Sequence, residues 1–192
     1  MVKEIMEKLV DRINYTLQRM NKKEIEKFIS ILMKSQRVFI VGAGRSGLVG
    51  KSFAMRLMHL GFNVYVVGET ITPAMKPNDL LIAISGSGRT SSTLLIAKTA
   101  KKLGAIVVAI TSHGDSPLAN IADHVVKIKG RGEDIVRDYL SDQLKGVSKS
   151  LTPLGTLFEL STGVFLDSVI TRLMELLGKD EDELKKKHTN LE

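Results

Sequence analysis

The sequence predicts a single α/β domain of three layers, in which helices cover both faces of a five-stranded parallel sheet. From residue 37 onward, short apolar runs alternate with stretches whose apolar residues recur at helical spacing. The runs are apolar at nearly every position, which is typical of strands buried on both faces. Strands that alternate with helices form a parallel sheet joined by right-handed crossovers, so both observations predict the same fold.

Two helices are predicted before the first strand. The first covers Glu4–Met20, in which four apolar residues share one stripe: Ile5, Leu9, Ile13 and Leu17. Asn21 is expected to cap the second helix, with Glu24 as the return partner of a capping box. The apolar side chains of this helix that point inward are Ile25, Phe28, Ile29 and Leu32. Because the sheet does not need two leading helices, we expect residues 1–35 to cover the domain or to form an oligomer contact.

Residues 36–130 are predicted to form the sheet and its crossing helices. The five strands are predicted at Val38–Val41, Val64–Val67, Leu80–Ile84, Ile106–Ile110 and His124–Ile128. The helices between them are predicted near Ser46–Leu60, Thr90–Leu103 and Pro117–Ile121. Residues 131–152 are predicted to be an extended connection. Residues 153–192 are predicted to be a long helix that Gly178 ends and a short basic helix that begins with a capping box of Asp180 and Glu183.

Composition excludes several classes of function. The chain of 192 residues has no Cys, so thiolate chemistry and cysteine metal sites are excluded, and its four His residues show no ligand spacing. It shows no signal peptide and no apolar run long enough to cross a membrane, so we expect a cytoplasmic protein without membrane contact. The net charge of +7 indicates either a solvated basic surface or one that attracts anionic sugar phosphates. Nucleic acid is not an expected partner, because no binding motif is present and Trp is absent.

A glycine-rich loop follows the first strand. Its residues 42–47, Gly-Ala-Gly-Arg-Ser-Gly, open a helix and fit the dinucleotide fingerprint G-x-G-x-x-G. Glu69 follows the second strand, where such an enzyme would have a ribose-binding acid. A nicotinamide-dependent dehydrogenase is therefore an alternative, although the chain is short for one. A second alternative is that these glycines only permit a tight turn.

A second loop of similar character follows the third strand. Ser85, Ser87 and Thr90 place three hydroxyls around Gly86 and Gly88. Glycines let the backbone approach an anion closely, and hydroxyls donate to its oxygens. In a flavodoxin-like sheet of order 2-1-3-4-5, strands one and three flank the point where ligands bind. The two loops therefore predict a phosphate site, with an ordinary turn that caps the next helix as the alternative.

These loops and several further segments resemble the SIS (sugar isomerase) domain family, whose phosphate loop reads Ser-x-Ser-Gly-x-Thr. Within that family the chain resembles the 6-phospho-3-hexuloisomerases. The resemblance extends over nearly the whole chain, at Val41–Gly47, Met55–Phe62, Val67–Pro73, Ser85–Thr90, Leu154–Glu159 and His188–Glu192. The chain departs from the pattern at Arg89, where the wider family is often acidic, and at Thr189, where the hexuloisomerases often have Ala.

The resemblance implies the conversion of D-arabino-3-hexulose 6-phosphate into fructose 6-phosphate through a 2,3-enediol. This chemistry needs a phosphate anchor, a base and a donor to the enediolate oxygen, and it needs no metal or other cofactor. By the family pattern, the phosphate lies among Arg45, Ser46, Gly47, Ser85, Gly86, Ser87, Gly88 and Thr90. The family also implies a homo-oligomer, with a tetramer as the first expectation.

Glu159 is the predicted base. On its helix it shares a stripe with Thr162, Gly163, Leu166 and Ile170, where a carboxylate is costly unless it is paired or functional. The alternative is an ordinary acid in the first turn of a helix. His188 is the second catalytic candidate, because related sugar isomerases place a His from a neighbouring subunit over the sugar; the alternative is a His in a basic tail. His59 is expected to pack at a helix end.

The sequence also leaves open a function that is not enzymatic. A non-catalytic sugar-phosphate sensor of the same fold would bind the same ligand without needing Glu159. Replacement of Glu159 by Gln therefore distinguishes a sensor from an isomerase, since only an isomerase would lose its activity.

Overall fold

The computed structural model of the chain describes residues 1–130 and 155–190. One parallel sheet has the order β2-β1-β3-β4-β5, which confirms the order predicted from the sequence. Its strands are β1 (Val38–Gly42), β2 (Val64–Val66), β3 (Leu80–Ile84), β4 (Ile106–Thr111) and β5 (His124–Lys127). Each lies within one residue of its predicted bounds at either end.

Seven helices are found in the described residues. They are α1 (Val2–Leu17), α2 (Lys22–Lys34), α3 (Gly44–His59), α4 (Ser91–Lys102), α5 (Pro117–Ile121), α6 (Thr156–Leu177) and α7 (Glu181–Lys185). Gly178 ends α6 in the left-handed conformation, as predicted, with φ +62°. The Asp180 side chain caps α7 by accepting the Glu183 N–H at 2.9 Å. The predicted connection at residues 131–152 and the predicted start of the long helix at 153–154 lie outside the described residues.

The sheet separates two apolar layers. On one face, α2, α3 and α6 cover side chains such as Ile40 and Ile82, and Phe28 meets Phe165 with ring centroids 5.9 Å apart. On the other face, α4 and α5 cover Phe39 and its neighbours. The central strand β3 is buried along its whole length. Continuous burial explains why the central strands β1, β3 and β4 are apolar at nearly every position.

The first two helices depart from the prediction in their contacts. Residues 1–8 are exposed, so the predicted stripe of α1 is only partly covered: Ile5 is 38% exposed, whereas Leu9, Ile13 and Leu17 are half-buried. Asn21 caps α2 through the Lys23 N–H at 2.9 Å. Glu24 does not show the return bond of the predicted box; its Oε2 accepts the Lys127 N–H of β5 at 3.0 Å. An edge strand has unpaired N–H groups, and Glu24 satisfies one of them.

An ion pair joins the residues that immediately precede β1 and β3, at the amino ends of these strands and opposite the loops. Arg37 Nε donates to Asp79 Oδ1 at 2.9 Å, and a second guanidinium nitrogen pairs with Oδ2. The hydrogen bond with Asp79 raises the pKa of Arg37 above its ordinary value. The carboxylate also accepts the Lys76 N–H at 2.6 Å. These contacts support the register of the two strands that carry the glycine-rich loops.

Among the described helices, none combines the length and the apolar character that crossing a membrane requires.

Candidate active site

The first loop brings α3 directly against the end of β1. A Cβ built on Gly47 would lie 2.7 Å from the Gly42 carbonyl oxygen, so the two backbones meet where a side chain does not fit. Gly44 has φ +56°, a conformation that favours glycine. Ala43 is the N-cap of α3 and offers no side-chain cap. The N–H groups of the first turn are therefore available to an anion, at the positive end of the helix dipole.

The second loop is closed by a pair of hydroxyls. Ser85 Oγ lies 3.0 Å from Thr90 Oγ1, and the Gly88 N–H donates to the Ser85 carbonyl at 3.0 Å. Thr90 is the N-cap of α4, but its side chain makes no cap bond. Ser87 is exposed at the tip, where its Oγ accepts the Arg89 N–H at 3.2 Å. Hydroxyls and uncapped N–H groups thus converge at the N-terminus of α4, which is the donor set that a phosphate needs.

The end of β4 supports this second loop from the side. Thr111 Oγ1 donates to the Gly86 carbonyl at 3.2 Å, and the Ser112 N–H donates to the same oxygen at 3.0 Å. Gly88 has φ +60°, and a Cβ on it would lie 2.1 Å from Ser116 Oγ. Thr111 and Ser116 are not among the site residues predicted from the sequence. The sequence did contain an indication of them, since both are polar residues near the carboxyl end of β4, the neighbour of β3. The carboxyl ends of parallel strands lie on the same side of the sheet.

Glu159 lies beside the second loop. It is in the first turn of α6, where the preceding residue, Phe158, packs on Gly86; a Cβ on Gly86 would lie 3.0 Å from the ring. The Glu159 N–H donates to the Gly155 carbonyl at 3.1 Å. Gly155 has φ +89°, and a Cβ there would lie 2.9 Å from Glu159 Oε1. The absence of a side chain at Gly155 therefore makes room for the carboxylate.

Arg45 connects the first loop to α6. Its Nε donates to Glu159 Oε2 in an ion pair, and the side chain of Glu159 is 13% exposed, whereas that of Arg45 is 54% exposed. The predicted base thus contacts a residue of the predicted phosphate site. Ser46, the next residue of α3, is buried with 8% exposure. The two loops and the start of α6 therefore lie together at the carboxyl ends of β1 and β3.

His188 lies elsewhere in the chain's own fold. Its ring stacks against that of His59, with centroids 5.3 Å apart. His59 is the last residue of α3, a helix of 16 residues that begins at the first loop. At 1.5 Å of rise per residue, this places the His pair roughly 20 Å along α3 from Arg45. Within one chain, the structure does not bring His188 to Arg45 and Glu159, and His59 packs at a helix end as expected.

The acid of the dinucleotide alternative has a different partner. Glu69 Oε1 forms an ion pair with Lys51 Nζ at 2.6 Å. Both residues line an open cleft of about 310 Å³ at the β2 edge of the sheet, together with Met55 and Met58. In residues 1–130 and 155–190, no three His, Asp or Glu side chains are grouped closely enough to hold a metal ion.

Two glycine-rich loops at the switch point of a parallel sheet, with a carboxylate beside them, are the arrangement expected of a phosphate-binding α/β domain. The chain belongs to the SIS domain family, whose pattern matches residues 31–152. This match confirms the family that the sequence motifs predict.

Several similar proteins carry names or solved structures. A Bacillus subtilis protein named 3-hexulose-6-phosphate isomerase is 38% identical, and the match covers 98% of each chain. A Methanocaldococcus jannaschii protein of the same name is 42% identical over 88% of this chain and 85% of its own length. A crystal structure of a hypothetical protein from Methanococcus jannaschii, for which a 3-hexulose-6-phosphate isomerase function was inferred, has a TM-score of 0.80 at 38% identity and covers 98% of both chains.

Proposed function

We propose that this protein is an isomerase that converts D-arabino-3-hexulose 6-phosphate into fructose 6-phosphate through a 2,3-enediol. The position of Glu159 carries the proposal, because a nearly buried carboxylate lies beside two loops that can bind a phosphate. The names of the Bacillus and Methanocaldococcus relatives support the same reaction. Fold alone would not distinguish this function from others on the same scaffold.

The phosphate of the substrate binds between the two loops. Ser85, Ser87 and Thr90 donate from their hydroxyls, the backbone at Gly86 and Gly88 approaches closely, and the first turn of α3 adds Arg45, Ser46 and Gly47. The N-termini of α3 and α4 both direct positive potential to this point. An anchored phosphate fixes the position of the sugar chain, so that the carbons to be isomerised lie at a set distance from the carboxylate.

Glu159 moves the proton. In the forward reaction it takes the proton from carbon 2 of the hexulose, which yields the 2,3-enediol, and it returns a proton to carbon 3 as the carbonyl forms at carbon 2. The hydroxyl proton moves from oxygen 2 to oxygen 3, so that no redox partner is required. One base on one face of the enediol suffices for both transfers.

The direct test is deuterium exchange. We expect the protein, incubated with fructose 6-phosphate in deuterated water, to introduce deuterium at carbon 3 and to form the 3-hexulose phosphate, as followed by proton NMR. The Glu159→Gln protein, purified in the same way, should introduce none and controls for contaminating enzymes. Exchange at carbon 1 would instead indicate an aldose–ketose isomerase. Binding without any exchange would indicate a sugar-phosphate sensor.

We also infer that the active form is a homo-oligomer, with a tetramer as the first expectation. Exposed apolar side chains support this: Val2, Met6 and Val10 on α1 are each at least 60% exposed and recur every four residues. Leu48, Met55 and Met58 on α3 are also exposed. Because a phosphorylated hexulose does not cross a bilayer unaided, we further infer a cytoplasmic location.

The oligomer would let His188 act in a neighbouring subunit, over a sugar bound there. A mixing experiment tests this role. If His188 acts in trans, an inactive Glu159→Gln protein and an inactive His188→Asn protein should regain activity when they are dissociated and reassembled together. Light scattering on the same samples gives the subunit number. Active His188→Asn protein, or hybrids without activity, would contradict the role in trans.

A further inference from the structure

The guanidinium of Arg45 lies between the predicted base and the predicted phosphate site. Arg45 is in the first turn of α3, whose N–H groups form part of that site, and its Nε donates to Glu159 Oε2. A guanidinium has five N–H donors. Within residues 1–130 and 155–190, the contact to Glu159 is the one hydrogen bond that this guanidinium makes. With respect to this described part of the chain, the terminal nitrogens of Arg45 are therefore available to a second anion.

The ion pair is placed so that a ligand can break it. The Arg45 side chain is 54% exposed, while Glu159 is 13% exposed and is held by its helix. An ion pair with one partner in solvent contributes little free energy, so rotating Arg45 away from Glu159 is not costly. A phosphate carries up to two charges and binds a guanidinium through two parallel hydrogen bonds, whereas Glu159 is bonded through Nε. The phosphate is therefore the stronger partner of Arg45.

We propose that Arg45 is exchanged between Glu159 and the substrate phosphate, so that binding of the phosphate releases the carboxylate for proton abstraction. This inference rests on the proposed function, in which Glu159 is the base. A cation that contacts a carboxylate stabilises its charged form and makes it a weaker proton acceptor. Arg45 thus pairs with Glu159 in the free protein and with the phosphate in the complex. The base becomes available only when a substrate with a phosphate is present.

The exchange predicts a competition that can be measured by binding alone. If Glu159 and phosphate compete for Arg45, then the apparent phosphate affinity of the natural protein is reduced by the fraction of Arg45 that is paired. Replacement of Glu159 by Gln removes the competing charge. We expect the Glu159→Gln protein to bind inorganic phosphate about two- to fivefold more tightly, which is the range for the loss of one partly exposed ion pair.

Repulsion between Glu159 and phosphate would also tighten binding in this variant, and the double variant separates the two causes. If Arg45 is the shared partner, Glu159→Gln should leave the phosphate affinity unchanged in an Arg45→Gln background. If simple repulsion acts, the affinity should rise equally in both backgrounds. The dissociation constants come from calorimetric titration with inorganic phosphate. For weak binders they come from the phosphate-dependent rise in melting temperature, which registers millimolar binding.

Glu175 offers a matched control, since it lies on the same helix and its carboxylate is 60% exposed in a pair with Arg172. Glu175→Gln should not change phosphate affinity. Tighter binding in Glu159→Gln that disappears without Arg45 would support the exchange. No tightening, or equal tightening in both backgrounds, would overturn it. Because the readout is binding, a Glu159→Gln protein that kept its isomerase activity would refute the proposed role of Glu159 as the base without affecting this measurement.

Discussion

Arg45 and Glu159 are 114 residues apart in the chain and form an ion pair at the carboxyl ends of the strands. The pair joins the loop after β1 to the first turn of α6, which are separate in sequence and packed on the same face of the sheet. It therefore connects the predicted phosphate site to the predicted base. Substitutions near the pair can shift the Glu159 carboxylate and so test whether its position matters.

Gly155→Ala tests how exact that placement must be. The added Cβ would lie 2.9 Å from Glu159 Oε1, so we expect the carboxylate to shift and kcat to fall about 10- to 100-fold. Gly178→Ala is the control at the other end of α6, because Gly178 also has positive φ but nothing lies within 4 Å of its Cβ. Both variants should lose about 1 kcal/mol of stability. Equal kcat values for the two would contradict the role of Glu159.

Thr90→Val tests the hydroxyl pair of the second loop. The substitution keeps the shape and removes the group that lies 3.0 Å from Ser85 Oγ. We expect KM for the phosphorylated sugar to rise about 10- to 150-fold, since one hydrogen bond to a charged group contributes roughly 1.5–3 kcal/mol, with a smaller change in kcat. Thr99→Val, whose hydroxyl bonds the Leu95 carbonyl on the same helix, should leave KM unchanged. Steady-state kinetics give KM and kcat for both variants, and these values test the role of the Thr90 hydroxyl.

Gly47→Ala tests the contact between α3 and β1. Its Cβ would lie 2.7 Å from the Gly42 carbonyl oxygen, so the helix must move away from the strand. We expect a loss of about 1–3 kcal/mol in the free energy of unfolding by urea. Gly163→Ala, in the interior of α6 with open space around its Cβ, should instead be neutral or stabilise by up to about 1 kcal/mol. A stable Gly47→Ala protein would show that the close approach is not required.

Lowering the pH should destabilise the folded protein through His59, which packs against His188 of the C-terminal segment. Burial, followed by the positive charges of His188 and Arg56, lowers the pKa of His59 below its ordinary value of 6.5. The unfolded chain therefore binds the proton more readily than the folded one, so stability falls as pH drops below about 6.5. Melting temperatures between pH 8 and pH 5 should show this slope, and His59→Phe should reduce it. A slope that persists in His59→Phe would assign it to other groups.

Local sequence was sufficient to predict most elements. The central strands were predictable because they are buried on both faces and so are almost wholly apolar, as β3 shows. Asn21 and Gly178 were predictable helix ends because a cap depends on the conformation of the residue itself. Glu24 was not predictable, since its partner is the N–H of Lys127 on an edge strand far along the chain. A local pattern cannot indicate which distant donor lacks a partner.

The sequence by itself determined the three-layer fold, the two glycine-rich loops and the residue types that a phosphate site requires, because glycine conformation, hydroxyl spacing and apolar runs are local properties. Only the tertiary structure decided that Arg45 contacts Glu159, that Thr111 and Ser116 support the second loop, and that His188 stacks on His59. These relations depend on how strands and helices pack across the sheet. Packing joins residues that are far apart in the chain, and the spacing of neighbouring residues carries no information about it.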